Sequence, residues 1–309
     1  MTDSLRVGVP YVGPSAIGWP LLAADHLGFY DAEGLDVTLV PSSYDELSQG
    51  VVSGSLPIIR RGPDADIVLM ERGEPIHIVA GLVDRPIGDI IARPTIEAIG
   101  DLRGKRLGVI DERVGSTLQL KTVLAKAGVE PGSYELRVYG GSPQRYQALV
   151  DGEVDAALLS PPTSRRSLDA GMRQVAHSAD YLPDYLSSSI QANDAFAAAN
   201  PEIVTRYVRA TIAAIRWLYD PANRDAALKL IDDGTGAATA TYEDVVVEGQ
   251  SFPADGDVRR SALAALQDAL RTMGDIGAKN RDPNDYVDDQ FRAAALATLD
   301  DPRTIEATR

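Results

Sequence analysis

Two adjacent arginines are the side chains of this sequence best suited to hold an anion. Residues 58–63 read IIRRGP, an apolar strand-like start followed by two cations and a turn. The planar fork of an arginine matches carboxylate, sulfonate and sulfinate oxygens. We therefore expect Arg60, Arg61 and Gly62 to contact a ligand. The alternative is that nearby carboxylates neutralise the arginines: Asp64, Asp66 or Glu71.

A second candidate for anion binding lies at residues 111–117, which read DERVGST. They follow a short apolar strand pattern and precede a helical pattern that ends at Gly128. Gly115 allows close backbone approach, Ser116 or Thr117 can cap the helix, and Arg113 can supply a positive charge. Because anions bind at helix N-termini beyond the carboxyl ends of parallel strands, this segment predicts a ligand site.

Polar and aromatic side chains that follow other predicted strands complete the candidate site. After the first strand these are Tyr11, Ser15 and Trp19; after the second, Ser42, Ser43 and Tyr44; and at the start of a later helix, Ser142. Each has a structural alternative, since Trp19 can pack in the core and the serines can cap helices. Arg145, in the first turn after Ser142, is interpreted as pointing into solvent.

The elements that must position these residues alternate between strand and helix. Residues 101–160 predict strand, helix, strand, helix and strand, with the helical apolar spacing clearest between Ser116 and Gly128. Such alternation favours a parallel, doubly wound sheet flanked by helices. The long apolar stripe from Pro201 to Tyr219 predicts a further packed helix.

Three segments resemble a known family. The runs DLRGKRLGV and ALVDGEVDAALLSPP resemble the second lobe of type II periplasmic binding proteins, and AADHLGFYDAEGLDVTLV resembles their first lobe. Within that fold, the resemblance points to the group that binds sulfonates, taurine, nitrate and thiamine-pyrimidine precursors. It implies an α/β fold with two lobes, each a mixed, mostly parallel sheet flanked by helices, and a ligand cleft between them. The lobes implied are residues 1–93, 94–186 and 187–309, the last returning to the first lobe.

Composition excludes several other functions. The chain has 309 residues, a formal net charge of −15 and no cysteine. Cysteine nucleophiles, thiolate zinc sites and disulfides are therefore ruled out, and the lack of a basic stripe argues against nucleic acid. No apolar run approaches the ~18 residues of a membrane helix. We expect no metal or other cofactor, and a monomer.

Two functions remain open at this point. The first is a solute-binding protein that captures a small organic anion, with an ABC permease as partner. The second is a cytosolic enzyme on the same fold, a desulfinase-like or decarboxylase-like lyase. The sequence at 60–63 is similar to the Arg-x-Gly-Gly motif of hydroxybiphenyl sulfinate desulfinases, but Pro14 or Ser15 stands where their cysteine is expected. The segment before the first strand shows no export signal. The expected location is thus periplasmic or extracellular if a leader was trimmed, and cytoplasmic if Met1 is the native start.

Overall fold

Two α/β lobes, each built on a five-stranded sheet, make up the computed structural model of the chain. It describes residues 2–10, 15–112, 115–232, 234, 236–278 and 281–301. In each sheet one strand runs antiparallel to its neighbours, and the other described pairings are parallel. The predicted fold class is confirmed. Within the described residues, no helix is both long enough and apolar enough to cross a membrane.

The first lobe has the strand order β2-β1-β3-β10-β4. Its strands are β1 (Asp3–Val9), β2 (Leu35–Pro41), β3 (Ile58–Arg61), β4 (Ile76–Val83) and β10 (Ser188–Asn193). The helices between them are α1 (Trp19–His26), α2 (Phe29–Ala32), α3 (Tyr44–Ser53) and α4 (Asp64–Glu71). All four residues of β3 are buried because β1 and β10 pair with it on both sides. Arg60 and Arg61, at the carboxyl end of β3, therefore lie in the interior.

The second lobe has the order β7-β6-β8-β5-β9. Its strands are β5 (Asp89–Ala92), β6 (Arg106–Val109), β7 (Glu135–Val138), β8 (Ala156–Leu159) and β9 (Arg173–His177). Its helices are α5 (Ser116–Lys126), α6 (Ser142–Val150), α7 (Thr163–Asp169) and α8 (Ser178–Tyr181). The run β6-α5-β7-α6-β8 reproduces the predicted alternation across residues 101–160.

The chain crosses between the lobes twice. β5 pairs with β8 and β9, so residues 89–92 belong to the second sheet. The first crossover is therefore residues 84–88, upstream of the predicted boundary at 93/94, because cross-strand pairing rather than local sequence assigns a strand to a sheet. The second crossover leads from β9 to β10, which returns to the first sheet.

The helices after β10 cover the first lobe and reach the second. Residues 201–219 form the predicted helix, and its apolar stripe joins the core of the first lobe. Leu263 and Leu266 share one core cluster with Ile67 of α4 and Leu118 of α5, so their helix packs against both lobes. These helices are α9 (Asp194–Ala199), α10 (Pro201–Tyr219), α11 (Arg224–Ile231), α12 (Ala238–Tyr242), α13 (Arg260–Thr272) and α14 (Gln290–Leu299), with a π-helical turn at Glu243–Glu248.

Candidate ligand-binding site

A cavity of about 260 Å³ lies between the two lobes. It opens at the edge where β1, β3, β6 and β8 end, because the loops after these strands converge there. At about 30 Å³ per water molecule, the cavity has the volume of roughly nine waters. It therefore fits a small molecule. Eight of the predicted site residues line it: Ser15, Tyr44, Arg60, Arg61, Gly62, Gly115, Ser116 and Ser142.

Arg61 is neutralised inside the protein. Its side chain is almost fully buried and forms an ion pair with Asp66, with Nε 3.1 Å from Oδ2. Its Nη1 donates to the Tyr44 carbonyl at 2.9 Å and to Ser48 Oγ at 3.0 Å. Burial alone would lower the pKa of Arg61, but the Asp66 charge raises it overall. The alternative weighed from sequence, an internal ion pair, is thus the one observed for Arg61.

Arg60 lies beside it on β3 and differs in its surroundings. The residue is 7% exposed, and burial lowers the pKa of its guanidinium. The groups that act on its charge are the phenols of Tyr44, Tyr207 and Tyr30. Phenols therefore surround Arg60, whereas Arg61 is paired with Asp66.

Arg145 is a charged site residue that the sequence interpretation missed. It was expected in solvent, yet it is only 3% exposed and lines the cavity. Its Nη1 donates to Ser116 Oγ at 3.0 Å and its Nη2 to Ser142 Oγ at 3.1 Å, while its buried Nε has no hydrogen-bond partner within the described part of the chain. Burial lowers the pKa of Arg145 to about 10. We call Arg145, Ser116 and Ser142 the Arg145 cluster.

The Ser142 hydroxyl of the Arg145 cluster has its O–H available to donate. Ser142 Oγ accepts from Arg145 and also from the backbone N–H of Ser160 at 3.0 Å. A hydroxyl that accepts two hydrogen bonds has its own O–H left to donate. Together with the guanidinium and the N-terminus of α5, this arrangement favours a negatively charged group.

The side chains of Asp64 and Tyr44, in the first lobe, lie directly against the start of α5. Asp64 accepts a hydrogen bond from the Gly115 N–H, and burial raises the pKa of Asp64 to about 7. Gly115 has φ +64°, and a Cβ added there would lie 2.3 Å from the Tyr44 hydroxyl. Glycine is therefore required at residue 115 by both conformation and space. These contacts connect the two lobes at the wall of the cavity.

Four predicted residues do not line the cavity. Trp19 is 0% exposed and belongs to the core of the first lobe, since α1 turns it inward against the sheet. Ser43 caps α3 in a reciprocal arrangement with Glu46, and Ser42 bonds the Val40 carbonyl at 3.3 Å. Thr117 is buried and donates to the Asp111 carbonyl at 2.6 Å. Tyr11 and Arg113 lie outside the described residues.

The described lining also contains residues that were not proposed from sequence, among them Asp64, Gln119, Ser160 and Tyr185. One signal for Arg145 was available, because residues three apart share a helix face, so that Arg145 can reach back to Ser142. No such local signal existed for Tyr185, which reaches the cavity from the second crossover.

The histidines of the chain lie away from this cavity. No histidine lines it. His77 bonds Asp194 and His177 bonds Asp89, each at 2.7 Å, and both pairs lie elsewhere. Among the described residues, no cluster of three or more potential metal ligands is present.

Solved structures with the same fold and a matching family model were found among known proteins. A putative binding protein of Brucella abortus (strain 2308), BAB2_1146, is 28% identical over 95% of this chain and 93% of its own. A solved structure from Bordetella bronchiseptica RB50 superposes with a TM-score of 0.82 at 19% identity, covering 97% of this chain and 99% of that one.

The alkanesulfonate-binding protein SsuA from Xanthomonas axonopodis pv. citri, solved bound to MOPS, superposes with a TM-score of 0.74 at 18% identity, over 93% of this chain and 98% of that one. The family model described as NMT1/THI5 like matches residues 18–224, which include every predicted cavity-lining residue except Ser15. The chain belongs to the NMT1/THI5-like family.

Proposed function

We propose that this protein is a solute-binding protein that captures a small organic anion between its two lobes for an ABC importer. The observation that carries the proposal is the Arg145 cluster. A buried cation faces the interlobe cavity, and its partners in the described structure are two hydroxyls rather than a carboxylate. A buried arginine without a counter-charge is unfavourable, so an anionic ligand would complete the site.

The geometry gives each candidate contact a role. The Arg145 cluster and the N-terminus of α5 would hold the anionic group from the second lobe. Arg60 and Tyr44 would close over it from the first lobe, and Ser15 and Gly62 lie in the same lining. Because ligand contacts come from both lobes, binding would favour the closed arrangement through hinge motion at the two crossovers.

Similarity to named proteins supports the same function. The Brucella relative is described as a putative binding protein, and the Xanthomonas neighbour binds alkanesulfonates. We extend both to this chain as part of the proposal, together with action in the periplasm or outside the cell. The enzyme alternative has less support, because the described lining contains no histidine and the chain has no cysteine to serve as the nucleophile of the desulfinase-like mechanism.

The test is isothermal titration calorimetry with a panel of alkanesulfonates, nitrate and small carboxylates. The variant Arg145→Met keeps the side chain long and removes its charge. We expect it to lose about 2–5 kcal/mol of binding free energy, which is roughly 30-fold to several thousand-fold in Kd. Its stability should be unchanged or higher, because a buried cation that lacks a counter-charge is removed.

The matched control is Arg173→Met. Arg173 is exposed on β9 and lies outside the cavity, so its loss should leave Kd unchanged. If Arg145→Met binds an anion of the panel as tightly as the unmodified protein does, the Arg145 cluster is not the anion site. If no anion of the panel binds the unmodified protein, the proposed function is wrong for these ligands.

A further inference from the structure

The wall of the cavity that the proposed function uses contains a glutamine whose amide nitrogen has no partner. Gln119 lies on α5, is 6% exposed and lines the cavity. Its Nε2 is buried and has no hydrogen-bond partner among the described residues. Leaving a buried donor unpaired disfavours the folded state. Because the described residues supply no acceptor, a molecule in the cavity is the source from which one can come.

Another buried glutamine shows how this chain pairs such an amide where it supports the fold. Gln267 of α13 is 5% exposed, about as buried as Gln119, and does not line the cavity. Its Nε2 donates to the Arg281 carbonyl at 2.9 Å and to the Tyr286 hydroxyl at 2.6 Å. The amide of Gln267 therefore joins parts of the fold, whereas Nε2 of Gln119 makes no such contact within the described structure.

Gln119 lies close to the Arg145 cluster. Ser116 and Gln119 are three residues apart on α5, so their side chains share one face of the helix, with Cβ atoms about 5–6 Å apart. Both residues line the cavity, and Ser116 Oγ accepts from Arg145 Nη1 at 3.0 Å. An anion held by the Arg145 cluster would therefore have Gln119 beside it, one helical turn along α5.

Gln119 is also uncharged, which matters beside a buried arginine. The partners of Arg145 in the part of the chain that the structure describes are the hydroxyls of Ser116 and Ser142. A carboxylate at residue 119 would attract the guanidinium and repel an incoming anion. An amide instead offers two N–H donors and carries no charge. Gln119 can therefore bind an oxyanion together with Arg145 without competing for the guanidinium.

We propose that Gln119 is a ligand contact that determines specificity for oxyanions. The Arg145 cluster binds one oxygen of the anionic group, and Gln119 Nε2 donates to a second oxygen of the same group. The ligand class is thus an organic molecule whose anionic group carries at least two acceptor oxygens, as a sulfonate or a carboxylate does. This inference rests on the proposed function and adds a residue that recognises the anionic group.

The experiment titrates the full chain with propane-1-sulfonate at pH 7 by calorimetry and measures the Tm of each ligand-free variant. Gln119→Met should raise Kd by about 10-fold to 150-fold, the value of a hydrogen bond to a charged group. Its Tm should be unchanged or higher, because an unpaired buried donor is removed. Gln119→Glu places a carboxylate beside Arg145 and should raise Kd by more than about 100-fold.

The matched control is Gln267→Met, for which the opposite pattern is expected. It removes two internal hydrogen bonds of a buried amide, so its Tm should fall while its Kd stays the same. If Gln119→Met keeps the Kd of the unmodified protein while Arg145→Met loses affinity, the anion site stands and the role of Gln119 is overturned. A fall in Tm for Gln119→Met without a change in Kd would also overturn it, since the amide would then support the fold. If the unmodified protein does not bind the probe, the proposed function fails for sulfonates and this inference fails with it.

Discussion

The ion pair between Arg61 and Asp66 gives the sharpest test of the division between structural and ligand-binding arginines. Both side chains are fully buried. Asp66→Asn leaves the Arg61 charge in place with its bonds to Tyr44 and Ser48 but without its ion-pair partner. Removing one partner of a buried pair costs about 3–5 kcal/mol of folding free energy.

The assay is urea unfolding followed by circular dichroism at pH 7, with the free energy taken by linear extrapolation. The matched control is Asp268→Asn, which removes the acid of an exposed pair with Arg271. It should change the unfolding free energy by less than about 1 kcal/mol. A double variant, Arg61→Leu with Asp66→Leu, should recover most of the loss, because both charges of the buried pair are then removed together.

Two results together would show that Arg61 binds ligand and does not stabilise the fold. If Asp66→Asn unfolds at the same urea concentration as the unmodified protein while its anion affinity collapses, then Arg61 serves the ligand and not the fold. The expected pattern is the reverse, with a large loss of stability and, in the fraction that remains folded, binding that still depends on Arg145.

Two further changes separate packing from binding. Gly115→Ala should cost about 1–3 kcal/mol of stability through backbone strain, and it should also weaken anion binding because the added Cβ would clash with the hydroxyl of Tyr44, which lines the cavity. Gly132 has φ +84° and open space around an added Cβ, so Gly132→Ala should lose stability through strain without losing affinity. Equal affinity losses in Gly115→Ala and Gly132→Ala would disprove the role of the Tyr44 contact. Trp19→Ala should cost about 3–5 kcal/mol of stability, measured by calorimetric unfolding. If the ligand affinity drops and the stability does not change, Trp19 is a ligand contact instead.

Some contacts of the cavity were accessible from sequence because they follow a general rule. Strand β3 ends in Arg60, Arg61 and Gly62, and the strand pattern before α5 ends at Gly115 and Ser116. The carboxyl ends of parallel strands meet at one edge of a sheet, so local patterns were enough to place these residues around the cavity. Their role as ligand contacts stays a prediction.

The sequence by itself determined the alternation β6-α5-β7-α6-β8 and, through its resemblance to known two-lobed proteins, the fold. The sequence could not determine which arginine is neutralised by a neighbouring carboxylate. Arg61 meets Asp66 five residues later and is neutralised, whereas Arg145, expected in solvent, is covered when α6 packs on β8 and joins Ser116 from a different helix. Helical and strand periodicity report one element at a time. Burial and charge balance depend on which elements meet, and only the tertiary structure decides that.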